Sequence, residues 1–268
     1  MRLFDAHNHL QEERLRPHAA DIIAALEREG VVRVVVDGSC EEDWPDVFAL
    51  AQQFPQVIPS FGYHPWYVRE RTPKWREAML GYLDKGPAAI GEIGLDRWIE
   101  GYDSPAQEEV FLWQLRLAAE RNLPVSIHCL KAWGRLHDIL RAEPRPECGF
   151  LLHSYGGPQE MIEPLAKLGA YFSISGYFAH ERKARQRETF RHVPAERLLI
   201  ETDAPDMPLP PERVAYHVEG EEKANHPANL AAVYRFVAEL RGEPLEALAP
   251  RTEQNFRRLF GGVARLDP

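Results

Sequence analysis

Five short stretches of the chain place imidazoles and carboxylates directly after apolar runs: Asp5-Ala6-His7-Asn8-His9, Gly91-Glu92, Ile127-His128, Leu152-His153 and Glu201-Thr202-Asp203. These are the side chains that bind divalent cations. His7 and His9 are two residues apart, so on a strand both rings point to the same side, a geometry that suits one ion. A lone histidine at a strand end is more often a hydrogen-bonded structural residue than a ligand. Six such positions, His7, His9, Glu92, His128, His153 and Asp203, would each need a separate structural explanation, whereas one shared site accounts for all of them. Six protein ligands exceed the three that a catalytic zinc takes while keeping an open position. Two divalent ions are therefore expected, about 3.5 to 4 Å apart. His7, His9 and Asp203 would serve one ion, His128 and His153 the other, and Glu92 both, with a water between them. Coordination would lower the pKa of that water and Asp203 could accept its proton. Glu92 and Asp203 then carry the catalytic roles, and hydrolysis is the reaction class. Mixed imidazole and carboxylate donors accept magnesium, manganese or zinc.

Residues so far apart in the chain need a scaffold that brings strand ends together. Eight short apolar runs, Leu3-Phe4, Val31 to Val36, Val57-Ile58, Ala88 to Ile90, Val125 to Ile127, Phe150 to Leu152, Tyr171 to Ile174 and Leu198 to Ile200, alternate with amphipathic stretches. Strand, helix, strand repeated in this way implies a parallel sheet, and an α/β fold of the TIM (β/α)8 barrel type, with its chemistry at the carboxyl ends of the strands, is the simplest solution. An open doubly wound sheet is the alternative, weakened by the lack of a Gly-x-Gly-x-x-Gly turn after the first strand. The fourth helix is expected to start with Ser104 as N-cap, Pro105 in the first position and Gln107 closing a capping box. From Pro227 onward two extra C-terminal helices are expected, punctuated by Pro244 and Pro250. One domain over residues 1–268 is the expected organisation.

The chain has 268 residues, 41 acidic and 32 basic, for a formal charge of −9. That balance argues against a protein whose main task is to coat nucleic acid, while leaving room for a local basic groove. Arg182 to Arg187, with Arg191 beyond, is the most basic stretch, although such runs are more commonly solvated surface. No apolar run approaches the roughly 20 residues that span a bilayer, so no membrane is expected. Cys40, Cys129 and Cys148 are too few and too unpatterned for a disulfide framework, which fits the cytoplasm. No obligate protein partner is implied.

Asp-x-His-x-His, Gly91-Glu92-Ile93-Gly94-Leu95-Asp96, Pro124-Val125-Ser126-Ile127-His128-Cys129, Leu152-His153-Ser154-Tyr155-Gly156-Gly157 and Glu201-Thr202-Asp203-Ala204-Pro205 together resemble the TatD family of metal-dependent hydrolases in the amidohydrolase superfamily. The resemblance runs nearly the whole chain, including Gly62-Tyr63-His64-Pro65 and Asn255-Phe256-Arg257-Arg258-Leu259-Phe260. It implies a TIM barrel, a two-metal site at the six positions above, and phosphodiester hydrolysis, typically as a deoxyribonuclease acting on DNA ends. The chain departs from the family where many members carry Arg-Asn-Glu-Pro, a phosphate contact, and this one has Ala224-Asn225-His226-Pro227. It departs again at His153-Ser154-Tyr155-Gly156-Gly157, where His-Cys-Phe-Ser-Gly is common.

A phosphodiester needs donors for its non-bridging oxygens, and His64 and Lys131 are the nearest candidates. Trp66, Tyr67, Trp98, Trp133, Tyr155 and Tyr177 follow strand ends, where bases could stack on them, although core packing accounts for half of such aromatics. Asp5 is expected to orient a neighbouring imidazole, with Glu201 in a similar role. Cys129 is expected to pack away from the metals. Two other functions fit the same ligands. One is a small-substrate amidohydrolase or lactonase, which the missing arginine favours, and the other is a noncatalytic barrel that uses metal only for stability.

Overall fold

The computed structural model describes residues 1–264. Strands and helices alternate as β1 (Leu3–Asn8), α1 (Ala19–Arg28), β2 (Val31–Asp37), α2 (Trp44–Gln53), β3 (Val57–Ser60), α3 (Trp75–Leu83), β4 (Ile90–Asp96), α4 (Ser104–Arg121), β5 (Val125–Leu130), α5 (Trp133–Ala142), β6 (Phe150–Leu152), α6 (Ile162–Lys167), β7 (Ala170–Ile174), α7 (Ala184–Arg187) and β8 (Leu198–Ile200). Two further helices follow, α8 (Leu230–Arg241) and α9 (Leu245–Phe260). All strand pairs in the ladders are parallel. The strands are the expected apolar runs, because a strand with helices outside and other strands' side chains inside has no face left for water.

Alternation along the strands builds two apolar cores. Phe4, Ala6, Val35, Ile58, Ala89, Leu151, Tyr171 and Leu199 fill the barrel, and their neighbours in sequence, such as Leu3, Val34, Val36 and Leu152, pack outward against the helices. The bottom of the barrel is plugged by Phe256, Leu259 and Phe260 of α9. Pro250, expected to end a helix, lies inside α9. A proline there forfeits a backbone bond at a cost of about 3 kcal/mol. Burying aromatic side chains such as Phe256 and Phe260 returns roughly 1.5–3 kcal/mol each, and the Asn255 amide adds hydrogen bonds to the Ala195 and Leu198 carbonyls at 2.8 and 2.9 Å.

Closure needs two seams, because the ladders run β1-β2-β3 and β4-β5-β6-β7-β8. A single parallel bridge, Ser60 with Ala89, joins the two sheets on one side. On the other, the Asp203 amide donates to the His7 carbonyl (3.0 Å) and the His9 amide to the Ala204 carbonyl (2.7 Å). Asp5 reinforces this second seam. Its buried carboxylate accepts the Thr202 amide (2.9 Å), the Thr202 hydroxyl (2.5 Å) and the Asn8 amide (3.1 Å). The expectation that Asp5 orients an imidazole is therefore corrected, since its only contact with His7 is the backbone N–H at 3.3 Å. Burial outweighs these donors and lifts the Asp5 carboxyl to about 7.

The start of α4 also differs. Asp103, not Ser104, is the N-cap, accepting the Ala106 amide at 3.1 Å. Gln107 closes no capping box, because its amide is buried between the Asp96 N–H (2.9 Å) and the carbonyls of Asp96 (2.9 Å) and Pro65 (3.3 Å). A local motif has lost to a tertiary contact that holds the end of β4 in place.

Candidate metal centre

The six expected residues meet at the carboxyl ends of the strands, and Glu92 stands between them. Its Oε2 faces the Nε2 atoms of His9 (3.2 Å) and His7 (3.4 Å). Its Oε1 faces His153 Nε2 (2.7 Å), His128 Nδ1 (3.0 Å) and His64 Nε2 (3.4 Å). Asp203 Oδ1 lies 3.6 and 3.7 Å from the Nε2 atoms of His7 and His9, and ligand atoms of His7, His153 and Asp203 also converge within 4.8 Å of one another. β4 can bring Glu92 this deep because glycines flank it. A Cβ on Gly91 would lie 2.4 Å from Asp37 Oδ1, and one on Gly94, at φ 154°, would lie 2.0 Å from the His128 carbonyl oxygen.

The far side of each ring decides what its near side offers. His9 Nδ1 is 2.7 Å from the Asp37 carbonyl, which can only accept, so Nδ1 carries the proton. His7 Nδ1 is 2.8 Å from the Ser126 hydroxyl and 2.9 Å from Asp37 Oδ2. His128 Nε2 is 2.9 Å from Asp96 Oδ2, and His153 Nδ1 is 3.7 Å from Glu201 Oε1. In their neutral forms these imidazoles turn lone pairs toward Glu92 and toward each other, with His7 and His9 Nε2 3.2 Å apart and His153 Nε2 3.4 Å from His128 Nδ1. Acceptors facing acceptors at such distances repel unless cations lie between them. The donor set therefore fits divalent ions.

Without metal, protons fill that place. Burial opposes charge on His153, but Glu92 overrides it and raises the imidazole to about 10. The same contest, burial against neighbouring carboxylates, leaves His7, His9 and His128 above their ordinary value. Glu92 is held well below the usual carboxylate range, because His153 and its neighbours outweigh burial. Asp203 goes the other way, with burial lifting it to about 6.

Asp37 and Asp96 are absent from the sequence-derived candidates. Each is fully buried as the last residue of its strand, β2 and β4, so the strand-end criterion that picks out the ligands would also have found them. Asp37 serves both histidines of the first motif, His7 through its carboxylate and His9 through its carbonyl. Asp96 is held at about 2, since hydrogen bonds from His128 and Trp66 outweigh the cost of burial.

His64 joins the cluster in a different form. Its Nδ1 accepts the Trp66 amide at 3.2 Å, so its proton sits on Nε2 and points inward. Burial pushes it down to about 4, which keeps it a neutral donor. Lys131 is exposed, at φ 53°, and takes no part in the cluster's contacts. Tyr155 is buried against Trp133 and Phe172, and Cys129 is buried in the outer core. In the basic stretch Arg187 and Arg191 pair with Glu181 and Glu188, and Arg182 and Lys183 lie over the Tyr177 ring at 5.0 and 4.7 Å. In the divergent segment, His226 does the capping work a glutamate could do. Its Nδ1 accepts the Ala228 amide at 3.0 Å while Asn225 donates to the Thr202 carbonyl at 2.9 Å, so the backbone behind Asp203 is tied down without an arginine at Ala224.

A closed parallel barrel with imidazoles and carboxylates converging at its carboxyl-terminal mouth defines a metal-dependent hydrolase. The TatD related DNase family matches residues 4–261, and the chain belongs to that family. It is 31% identical to the 3'-5' ssDNA/RNA exonuclease TatD of Escherichia fergusonii, over 97% of this chain and 99% of that one. It is 30% identical to the metal-dependent hydrolase YabD of Bacillus subtilis, over 96% of this chain and 98% of the relative. Among solved structures, the TatD homolog YJJV of Escherichia coli superposes with a TM-score of 0.88 at 27% identity, covering 97% and 98% of the two chains.

Proposed function

We propose that the chain hydrolyses phosphodiester bonds at the ends of DNA strands, using two divalent ions held by His7, His9 and Asp203 on one side and His128 and His153 on the other, with Glu92 shared. The observation that carries this reading is the placement of Glu92, whose Oε2 faces His7 and His9 and whose Oε1 faces His128 and His153. Cations bound there would supply Lewis acidity toward phosphate oxygens and would acidify water. The chain's own groups do the rest. Asp203, lifted by burial to about 6, takes a proton from the attacking water near neutral pH. The Nε2–H of His64 donates to a non-bridging oxygen as negative charge accumulates there. Asp37 and Asp96 keep the rings of His7, His9 and His128 aimed inward. Lys131, exposed beside the mouth, would meet a phosphate further along the strand. The free thiols of Cys40, Cys129 and Cys148 support a reducing, cytoplasmic setting.

Digestion of 5'-labelled single-stranded DNA with added Mg²⁺ or Mn²⁺ should give stepwise shortening that His128→Ala abolishes. Full metal loading with the DNA intact would overturn the proposal. Metal analysis of the purified protein should give two ions per chain. Ala224, in place of a phosphate-binding arginine, favours a second reading, a small-substrate amidohydrolase or lactonase. Turnover of cyclic amides or lactones with DNA untouched would decide for it.

A further inference from the structure

Two tryptophans that follow strand ends stand in solvent, Trp66 at 44% exposure with its ring against His64 and His128, and Trp98 at 62% two residues past β4. Both are tied to the same carboxylate. Trp66 donates its indole N–H to Asp96 Oδ2 at 2.7 Å, the oxygen that also meets His128 Nε2 at 2.9 Å. Trp98 donates its backbone N–H to Asp96 Oδ1 at 2.6 Å, followed by Ile99 at 3.1 Å. The Trp66 backbone N–H also donates to His64, and its ring stands edge-on to His64 at 4.9 Å and His128 at 6.2 Å between centroids. Trp66 is thus exposed yet locked in place, and the loop carrying Trp98 starts from a fixed point. Packing does not require these rings to face water, since four other aromatics that follow strand ends, Tyr67, Trp133, Tyr155 and Tyr177, are buried or half-buried. Exposed apolar surface at the rim of a site marks a place for a ligand, and a flat indole held beside phosphate chemistry suits an unpaired nucleobase.

We infer that Trp66 and Trp98 form a stacking platform for the bases of the terminal nucleotides, so that the enzyme selects a strand end by its unpaired base as well as by its phosphate. This rests on the proposed phosphodiesterase activity and adds a substrate requirement, an aromatic base next to the scissile bond. A duplex end, whose bases stack on each other, would have to fray before it could be held.

The test compares a 5'-labelled oligothymidylate with the same strand ending in a 3' tetrahydrofuran abasic residue. The parent protein should prefer the normal end by about 10- to 100-fold in kcat/KM, the range expected for one stacked base. Trp98→Ala removes a ring whose only described polar tie is through its backbone, and it should reduce that preference to a few-fold through KM. Trp66→Phe keeps a stacking face but loses the bond to Asp96. It should retain the preference while kcat falls for both strands, whereas Trp66→Ala should lose the preference as well. A full preference in Trp98→Ala and Trp66→Ala alike, with both variants folded by melting temperature, would overturn the inference and leave the phosphodiesterase reading standing. Failure of the parent to cleave either strand would remove both.

Discussion

The two sides of Glu92 are built differently. On the Oε2 side His7 and His9 come from the end of β1, share Asp37 as their support, and are joined by Asp203 from the β8 seam, which gives this side four candidate ligands. On the Oε1 side His128 and His153 come from two strands, rest on separate carboxylates, and with Glu92 supply three donors. The neutral donor His64 and the exposed Trp66 border this second group. Four protein ligands close a tetrahedral site, and three leave a position open. On the proposed two-ion reading, the second side, with fewer protein donors, is the one left open to substrate, with Asp203 reaching across from the first.

The change that should break both sides together is Glu92→Gln, which removes the shared charge and sets an amide against five inward-facing rings. Activity should fall by at least about 10²–10³-fold, the loss seen when one preorganised charge-stabilising group is removed, and metal content should drop for both ions. Retention of two tightly held ions would refute the shared role. Single-ligand changes should then separate the sides. His128→Ala should abolish turnover while about one ion per chain survives dialysis, and His9→Ala should weaken the ion that otherwise resists dialysis. Equal losses from both variants would erase the distinction.

Supports should matter less than ligands. Asp96→Asn and Asp37→Asn are each expected to weaken metal affinity or activity by roughly 10- to 100-fold. Asp37 backs the side proposed to hold its ion more tightly, so its variant should show in metal retention and the Asp96 variant in kcat; the reverse pattern would contradict the proposal. The smallest effect concerns pH. His153, raised to about 10 by Glu92 against burial, must lose its proton to bind metal. Metal uptake near pH 7 should therefore release protons, and affinity should climb as pH rises, first as Asp203 ionises through about 6. Calorimetry in two buffers of different ionisation heat measures the release, and none at pH 7 would count against the protonated apo site. In the metal-free chain the folded pKa of His153 exceeds its ordinary 6.5, so that stabilisation is complete below about 6.5 and disappears as pH rises through about 10.

Strand positions and the six clustered residues are legible because each is written locally: an apolar run marks a strand buried on both faces, and the polar residue after it lies at the mouth. Asp37 and Asp96 obey the same rule but were missed, since a strand-end carboxylate reads as a ligand, a support or a cap until its neighbour is known. Gln107 and Pro250 were misread for the opposite reason, because a short-range motif looked sufficient and a long-range contact overrode it. Asp5 belongs with them, a barrel stitch whose partner Thr202 lies at the other end of the chain.

The order and type of residues alone determined the alternating strands and helices, the identity of six metal-binding candidates and the family to which they point, because periodicity and side-chain chemistry are properties of short segments. Only the folded barrel decided which oxygen of Glu92 meets which histidine, which ring nitrogen carries a proton, and which tryptophans stay in water. Those depend on distances between residues from different strands, and such distances exist only once the sheet has closed.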